Sequence, residues 1–290
     1  MSHDVSAPSK RQERRSQEVW ESNVEEEIVR MRDIAEQFQH VAMDTQFPGL
    51  VARPTGPFRD YEEYNYQTLK CNVDLTRVIQ IGLTFSDAKG NRPKGISTWR
   101  FNFEFNAQKD VCSQESIDSL RQSRGLDAEK HSGQGIDTLK FGELLMSSGL
   151  VLNDEVRWIT FCGASGFNEK SSEEDGRGQE PPWITFCGMY DFGHLLRLLT
   201  SQPLPDEVSG FYELLDIFFP GRCDVAMHLE RLHNGGEGAD PRRRPVQRNC
   251  HHVLEAFFRL PDSVRRTAFD RIEPPEKAPE PSKTRRKEAR

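Results

Sequence analysis

Hydrophobic and polar residues alternate most strictly over residues 97–106, STWRFNFEFN. The aromatic residues share one face and polar residues take the other, which predicts a strand with one buried face. This aromatic row, which we interpret as core and not as a platform for stacking RNA bases, contains Trp99, Phe101, Phe103 and Phe105. Apolar runs at 41–43 and 78–85 predict two more buried strands, and KGNRPKG predicts a turn. The three strands are therefore expected to form an antiparallel meander.

Apolar residues recur at three- and four-residue spacing in most other segments, which predicts amphipathic helices. The first covers residues 19–38, and its apolar side holds Val24, Ile28, Met31, Ile34 and Phe38. Further helices are predicted near Tyr64–Asp74, at 113–125 with Ser113 as N-cap, at 135–151 closed by Gly149, at 190–200 and at 206–221. Residues 155–163 predict a buried strand, and 222–236 a short strand or helix. This order predicts an α/β fold, a mixed sheet with helices on its faces.

The hexapeptide WITFCG occurs twice, at Trp158–Gly163 and Trp183–Gly188. Two copies do not make a repeat architecture, which needs at least three stacked units. The polar segment 164–182 between them is predicted to be a disordered insert. A duplicated or retained coding segment, or a gene-model error, is the simpler explanation, and a functional loop is the alternative. We expect Trp183–Phe186 to take the central strand position, because it leads directly into the helix at Asp191, with Ala164–Pro182 looped out as coil.

The composition is polar for one globular unit, with 35% hydrophobic and 29% charged residues in a chain of 290. We therefore expect a disordered N-terminus at 1–17, one domain at 18–260 and a charged, largely disordered tail at 261–290. The net charge of −7 argues against nucleic-acid binding by bulk charge, but not against a local basic groove or metal-assisted binding. No apolar run reaches membrane-spanning length, so we expect no membrane association. The six cysteines form no CxxC pair and are interpreted as reduced intracellular thiols.

An acid ends the first buried strand, in the stretch VAMDTQFPGLVARP that begins at Val41. Burying a lone carboxylate is expensive, so Asp44 must be solvated, paired or bound to a metal. Two residues further along, on the same face of the strand, a second acid could share that metal, but the position holds Gln46. Taken alone, Asp44 is an ordinary strand-end acid. Asp191, at a helix start, is likewise explained by the helix dipole alone.

Six ordered segments carry a resemblance to a known family: VAMDTQFPGLVARP, YNYQTLKCNVDLTRVIQIGLTFSD, STWRFNFEFN, FGELLMSSGLVL, WITFCGMYDFGHLLRLLT and FYELLDIFFPGRCDV. The chain closely resembles the Caf/Pop family of poly(A)-specific 3′ exoribonucleases, the deadenylase subunit of the Ccr–Not complex. The resemblance implies an RNase H-like fold, in which a mixed sheet is flanked by helices. It also implies two divalent metals, Mg²⁺ or Mn²⁺, held by three aspartates and a glutamate.

The resemblance assigns Asp44, Gln46 and Asp191 as catalytic residues and Asp44 and Asp191 as metal ligands, and it places Gln46 where the family has its glutamate. If EAFFRL aligns with the family's last helix, the fourth acid falls at Asn249 and the family's histidine at Arg244, within a divergent segment at 235–260. Four carboxylates would carry about −4 against two divalent cations, whereas Asp44 and Asp191 carry about −2. Gln46 would be a weak neutral ligand, so we expect a damaged site, with the two aspartates ~4–7 Å apart if its geometry survives.

Three competing interpretations have less support. DFG at 191–193 also occurs in protein kinases, but the chain has no glycine-rich loop and no catalytic-loop motif of a kinase. Cys250–His252 could suggest zinc, but no second ligand pair has a suitable spacing. The basic runs DPRRRPVQR and KTRRKEAR are interpreted as solvated tails, with RNA contact or nuclear targeting as the alternative.

Three hypotheses about function follow from the resemblance and the altered site. The first is a poly(A) 3′ exoribonuclease that shortens mRNA tails in the Ccr–Not complex by two-metal hydrolysis, with reduced or altered activity. The second is a non-catalytic subunit that keeps the fold and docks onto the Not scaffold. The third is a faulty gene model of an active enzyme. The expected partners are poly(A) RNA 3′ ends, the Not scaffold and other Ccr–Not subunits, in the nucleus and cytoplasm.

Overall fold

The meander predicted from the sequence forms the centre of one six-stranded mixed sheet. The computed structural model describes residues 16–161, 187–226, 228 and 249–269. Its strands are β1 Ser16–Val19, β2 His40–Gln46, β3 Gln80–Ser86, β4 Thr98–Asn102, β5 Arg157–Thr160 and β6 Arg222–Asp224. They lie in the order β1-β4-β3-β2-β5-β6. The β2–β3 and β3–β4 pairs are antiparallel, and the β1–β4, β2–β5 and β5–β6 pairs are parallel.

Nine helices connect and cover these strands in the described part of the chain. They are α1 Val24–Ala35, α2 Tyr61–Leu75, α3 Gln114–Arg124, α4 Ala128–Gln134, α5 Thr138–Met146, α6 Cys187–Thr200, α7 Val208–Phe218, α8 Cys250–Arg259 and α9 Asp262–Thr267. Ser113 caps α3 as predicted, because its side chain accepts a hydrogen bond from the Ser116 backbone N–H. The first helix is shorter than predicted, since Val19 belongs to β1. Gly149 lies in the turn after α5, which ends at Met146.

The two faces of the sheet pack against different helices. Val41 and Met43 of β2 belong to the larger core, which includes residues of α1, α2, α5, α6 and α7. Ala42, on the opposite face, packs in a second core with residues of α8. The predicted core role of the aromatic row at 99–105 is confirmed, because all four side chains are fully buried. None of the described helices is long and apolar enough to cross a membrane.

The prediction that the second WITFCG copy takes the central strand position is wrong. The first copy forms β5 and pairs with β2, with Val41 opposite Trp158 and Ala42 opposite Ile159. Because the two copies have identical side chains, the chain connection decides between them. The turn at 147–156 carries the chain from α5 directly into β5, and the indole of Trp158 donates a hydrogen bond back to Leu150 O over 3.2 Å. The second copy up to Phe186 and the predicted insert at 164–182 lie outside the described residues.

Two predicted boundaries also shift. β1 begins at Ser16, inside the segment 1–17 that was expected to be disordered, because it extends the sheet beside β4. The predicted tail from residue 261 begins with α9. Phe269, just after α9, packs against Phe257 of α8 with ring centroids 5.5 Å apart, which holds this part of the tail on the domain.

Candidate metal centre

The site begins at the end of β2, where strand alternation puts Asp44 and Gln46 on the face covered by α8. Asp44 is 8% exposed and lies opposite Gly82 of β3. A Cβ atom at Gly82 would lie 2.4 Å from Asp44 Oδ1 and 2.8 Å from Cys250 Sγ, so only glycine leaves room for the carboxylate and the helix at this point. The space that Gly82 leaves open is thus occupied by the side chains of Asp44 and Cys250.

Both oxygens of the Asp44 carboxylate are engaged by groups of the protein itself. Gln46 Nε2 donates a hydrogen bond to Oδ2 over 3.1 Å, and the Cys250 backbone N–H donates to Oδ1 over 2.8 Å. The guanidinium of Arg124, at the end of α3, lies 3.8 Å from Oδ2. The predicted weak ligand, Gln46, thus turns a donor and not its oxygen toward Asp44.

The thiol of Cys250 completes the environment of Asp44. Burial is the largest cause that raises the pKa of this thiol well above its usual value, and the nearby charge of Asp44 raises it further. Burial thus keeps the Cys250 thiol neutral, and its Sγ accepts a hydrogen bond from Thr84 Oγ1 over 3.1 Å. Within the described residues no group of three His, Cys, Asp or Glu side chains that could hold a metal ion includes Cys250, so the zinc site considered above has no support there.

Asp191 of α6 is bound to the residue between Asp44 and Gln46. Its Oδ1 accepts hydrogen bonds from the Thr45 backbone N–H over 2.9 Å and from Thr45 Oγ1 over 2.6 Å. Burial is the main cause that raises its pKa well above the usual value, with further contributions from Asp44 and Asp224. The Asp44 and Asp191 carboxylates are thus within electrostatic reach. Their approach to ~4–7 Å, the span of a shared metal site, stays a prediction.

Asn249 precedes Cys250 in the chain, but its side chain caps a helix and does not face the site as a free ligand. It is the N-cap of α8, and its Oδ1 accepts a hydrogen bond from the His252 backbone N–H over 3.3 Å. An amide oxygen engaged in capping is not free to bind a cation without loosening the first turn of the helix. Arg244 lies outside the described residues.

Two charged residues near the site were not singled out from the sequence. Asp224 ends β6, and a Cβ atom at Gly188 of α6 would lie 2.2 Å from its Oδ2, so the start of α6 passes very close to it. Arg124 reaches Asp44 from α3. Asp224 could have been found, because it ends a strand as Asp44 does and parallel strands end at the same edge. Arg124 carries no such signal, since only the tertiary fold brings it to Asp44.

The residues present do not fit two divalent cations. Across the stretches that the structure describes, no three His, Cys, Asp or Glu side chains are grouped so that they could hold a metal ion. Hard cations such as Mg²⁺ need several free oxygen ligands, chiefly carboxylates. Here Asp44 is engaged by N–H donors, Asp191 by Thr45, and Gln46 and Asn249 are neutral amides.

The chain is similar in sequence and in fold to proteins of one ribonuclease family. The family model of the CAF1 family ribonuclease matches residues 19–144. A probable CCR4-associated factor 1 homolog 7 from Arabidopsis thaliana is 43% identical over 227 residues, which are 76% of this chain and 73% of the relative. The chain belongs to the CAF1 ribonuclease family. The poly(A) ribonuclease pop2 of Schizosaccharomyces pombe is 41% identical to this CAF1-family chain. The matched region covers 76% of this chain and 58% of the pop2 protein.

Solved structures confirm the RNase H-like fold that the resemblance implied. The Mg²⁺- and Mn²⁺-bound form of S. pombe Pop2p superimposes with a TM-score of 0.69 and 36% identity, covering 88% of this CAF1-family chain and 94% of that one. The structure of a yeast NOT1 MIF4G domain co-crystallized with CAF1 contains a second matching chain, with a TM-score of 0.61 and 29% identity. The match covers 86% of this chain and 88% of that one. The mixed sheet flanked by helices is thus shared with structures of this family.

Proposed function

We propose that this protein is a deadenylase-type subunit of a Ccr–Not complex whose own 3′ exoribonuclease activity on poly(A) is weak. Its family membership and the names of its relatives support the substrate class, poly(A) 3′ ends, and the complex. The mechanism proposed for the residual activity is hydrolysis assisted by Mg²⁺ or Mn²⁺. The proposed locations are the nucleus and cytoplasm, which imaging of the tagged full chain would test.

The hydrogen bond from Gln46 Nε2 to Asp44 Oδ2 is the observation that carries this proposal. In a two-metal site the cations hold the attacking and leaving oxygens and neutralise the phosphate, and carboxylates hold the cations. An amide that donates to Asp44 replaces both a ligand and a negative charge. Mutation of groups that only orient a metal ligand costs ~10–100-fold in affinity or activity, so loss of a ligand itself is expected to cost at least as much.

Removal of 3′ adenosines from labelled oligo(A), with Mg²⁺ or Mn²⁺ added, tests the proposal. We expect slow trimming by the unmodified chain and at least ~10-fold faster trimming by the Gln46→Glu/Asn249→Asp double variant. The Gln46 change is expected to matter more, because Gln46 contacts Asp44 directly whereas Asn249 caps α8. Asp44→Ala defines the background.

Gln80→Glu is the matched control, because it adds the same charge on the neighbouring strand. Gln80 lies opposite Gln46, and its Nε2 donates to Asn102 Oδ1 over 2.7 Å. Brisk, Asp44-dependent trimming by the unmodified chain would contradict the proposed impairment. Equal gains from Gln80→Glu and Gln46→Glu would show that charge in general, and not the ligand at position 46, limits the activity. Sequencing the transcript across codons 46, 164–188 and 235–260 tests the third hypothesis, a faulty gene model.

A second candidate function, a non-catalytic subunit that docks on the Not scaffold, is favoured by exposed apolar side chains on two packed helices. Helices α1 and α5 pack together, and Lys140 of α5 forms an ion pair with Glu25 of α1 over 2.9 Å. Val29, Leu139 and Met146 of this pair are 48%, 55% and 38% exposed. Leu139 and Met146 are seven residues apart, so they lie on one side of α5. A contiguous exposed apolar patch marks a protein interface, and we propose that these side chains form one.

Binding of a purified Not1 MIF4G domain to the full chain tests this candidate. We expect Leu139→Arg and Met146→Arg each to weaken binding at least ~10-fold, because a charge would be buried in an apolar contact. Val111→Arg is the control, since Val111 is 50% exposed in a different segment, before α3. Unchanged binding by both α5 variants would exclude this face as the docking site.

A further inference from the structure

The Asp44 carboxylate accepts hydrogen bonds from the protein on both of its oxygens. An ionised carboxylate has about four lone-pair sites, two on each oxygen. Oδ1 receives the Cys250 backbone N–H over 2.8 Å. Oδ2 receives the Gln46 amide and faces the Arg124 guanidinium. A divalent cation at Asp44 would compete with these groups for the carboxylate.

The contact with Cys250 is also an attachment of α8 to the sheet. Cys250 is the first residue of α8, so its backbone N–H is one of the donors that an α-helix leaves unsatisfied at its N-terminus. A carboxylate at this position is favoured by the helix dipole, which carries roughly half a positive charge there. Asn249 satisfies a second N–H of the same turn, that of His252. Asp44 and Asn249 together therefore complete the start of α8.

We propose that the metal position has been rebuilt as an anchor for α8, in which the helix N-terminus, Gln46 and Arg124 replace the positive charge of divalent cations at Asp44. The fold then needs no metal at this place, and occupation by a cation opens the contact between β2 and α8. The inference concerns the same site as the proposed function, but it rests on contacts of the metal-free protein and not on activity.

The anchor predicts that, without metal, Asp44→Ala is less stable than the unmodified protein. A site that served only to bind metal predicts the opposite order. In the presence of EDTA, Asp44→Ala removes the acceptor of the Cys250 N–H, so we expect its thermal midpoint to fall by about 3–10 °C. Asp44→Asn keeps an oxygen for that N–H, and we expect less than half of this loss. If Asp44 served only a metal cluster, removing its charge would relieve repulsion with Asp191 and leave the metal-free protein equally or more stable.

Hydrogen exchange of the full chain localises the effect. In Asp44→Ala, amides in residues 250–254 are expected to exchange at least ~10-fold faster, because the start of α8 is released. Amides of α7 serve as the internal control, since that helix packs on the opposite face of the sheet. Unchanged exchange at 250–254 together with an unchanged midpoint would overturn the anchor, whatever the activity assay shows.

Addition of metal provides the second arm. For the unmodified chain we expect 10 mM Mn²⁺ to move the thermal midpoint by no more than ~1 °C, because binding would have to break the anchor. Gln46→Glu adds a carboxylate beside Asp44, so its midpoint is expected to fall in EDTA and to rise by ~5–10 °C with Mn²⁺. Gln80→Glu is the control for charge alone. A rise in the unmodified chain as large as in Gln46→Glu would contradict the proposal.

Discussion

His194 of α6 is a buried histidine whose charge the fold does not accommodate. It is 2% exposed, and among the described residues its Nε2 atom has no hydrogen-bond partner. Its ring packs on Phe47 with centroids 4.8 Å apart, and Phe47 in turn stacks on Tyr190 at 5.4 Å. Burial in this aromatic setting lowers the pKa of His194 from 6.5 to about 3. The imidazole therefore stays neutral in the folded protein at any mildly acidic pH.

The perturbation is His194→Phe, and the pH dependence of folding gives its magnitude. The unfolded chain binds a proton at His194 below pH 6.5, whereas the folded chain does not until about pH 3. Above pH 6.5 the protonation of His194 therefore does not lower the free energy of unfolding. As the pH falls from 6.5 toward 3, this free energy decreases, because the unfolded chain binds the proton first. At pH 5.0 the loss amounts to about 2 kcal/mol, and at pH 7.5 it is close to zero. Two effects of the substitution do not depend on pH. Removal of an unsatisfied buried nitrogen is expected to stabilise the variant by ~1–3 kcal/mol, and overpacking by the larger ring is expected to destabilise it by ~1–3 kcal/mol.

Urea unfolding followed by tryptophan fluorescence at pH 7.5 and 5.0 measures the effect. We expect the difference in free energy of unfolding between His194→Phe and the unmodified protein to grow by about 2 kcal/mol in favour of the variant at pH 5.0. His252→Gln, which removes a histidine with an exposed side chain, is the control for loss of a titratable residue. Equal pH dependence of the unmodified protein and His194→Phe would refute the assignment of His194 as a buried neutral group.

Two further substitutions test the packing around the start of α8. Gly82→Ala is expected to destabilise the protein by ~1–3 kcal/mol, because the new methyl group would collide with Asp44 Oδ1 and Cys250 Sγ, and chemical unfolding measures the loss. Asn249→Ala is expected to cost about 1 kcal/mol through loss of the N-cap, whereas Asn249→Asp keeps the cap and is expected to cost almost nothing. A larger loss in Asn249→Asp than in Asn249→Ala would contradict the capping role.

The alternation of residues predicted the sheet centre because one face of each strand is buried in a continuous core. In β4 the pattern that starts at Thr98 has a single interpretation, since a shift by one residue would expose Trp99 and Phe101. The two identical copies of WITFCG carry no such distinction. Only the short turn after α5 favours the first copy, and that preference depends on where α5 ends in space.

The site could be predicted in part, because Asp44 and Gln46 are two residues apart on one strand and their common face follows from strand geometry. The contact between Asp44 and Cys250 joins residues that are 206 positions apart. No local pattern encodes this pairing, and the Arg124 ion pair depends on the same long-range packing. Sequence reasoning therefore drew attention to Asp44 and Gln46 but not to Cys250 and Arg124, which contact Asp44.

The pairing of β2 with β5 stops at Ala42, two residues before the site. Beyond that point the Thr45 backbone N–H donates its hydrogen bond to the side chain of Asp191 and not to a neighbouring strand. The Asp191 carboxylate thus supplies the acceptor that a strand carbonyl would otherwise supply. An aspartate at position 191 thus has a structural role toward the backbone that does not depend on catalysis. During evolutionary drift, substitutions that keep a short side-chain oxygen there would be tolerated, and aliphatic ones would be removed as folding defects. The presence of an acid at this position is for that reason not by itself evidence of catalytic activity in this chain.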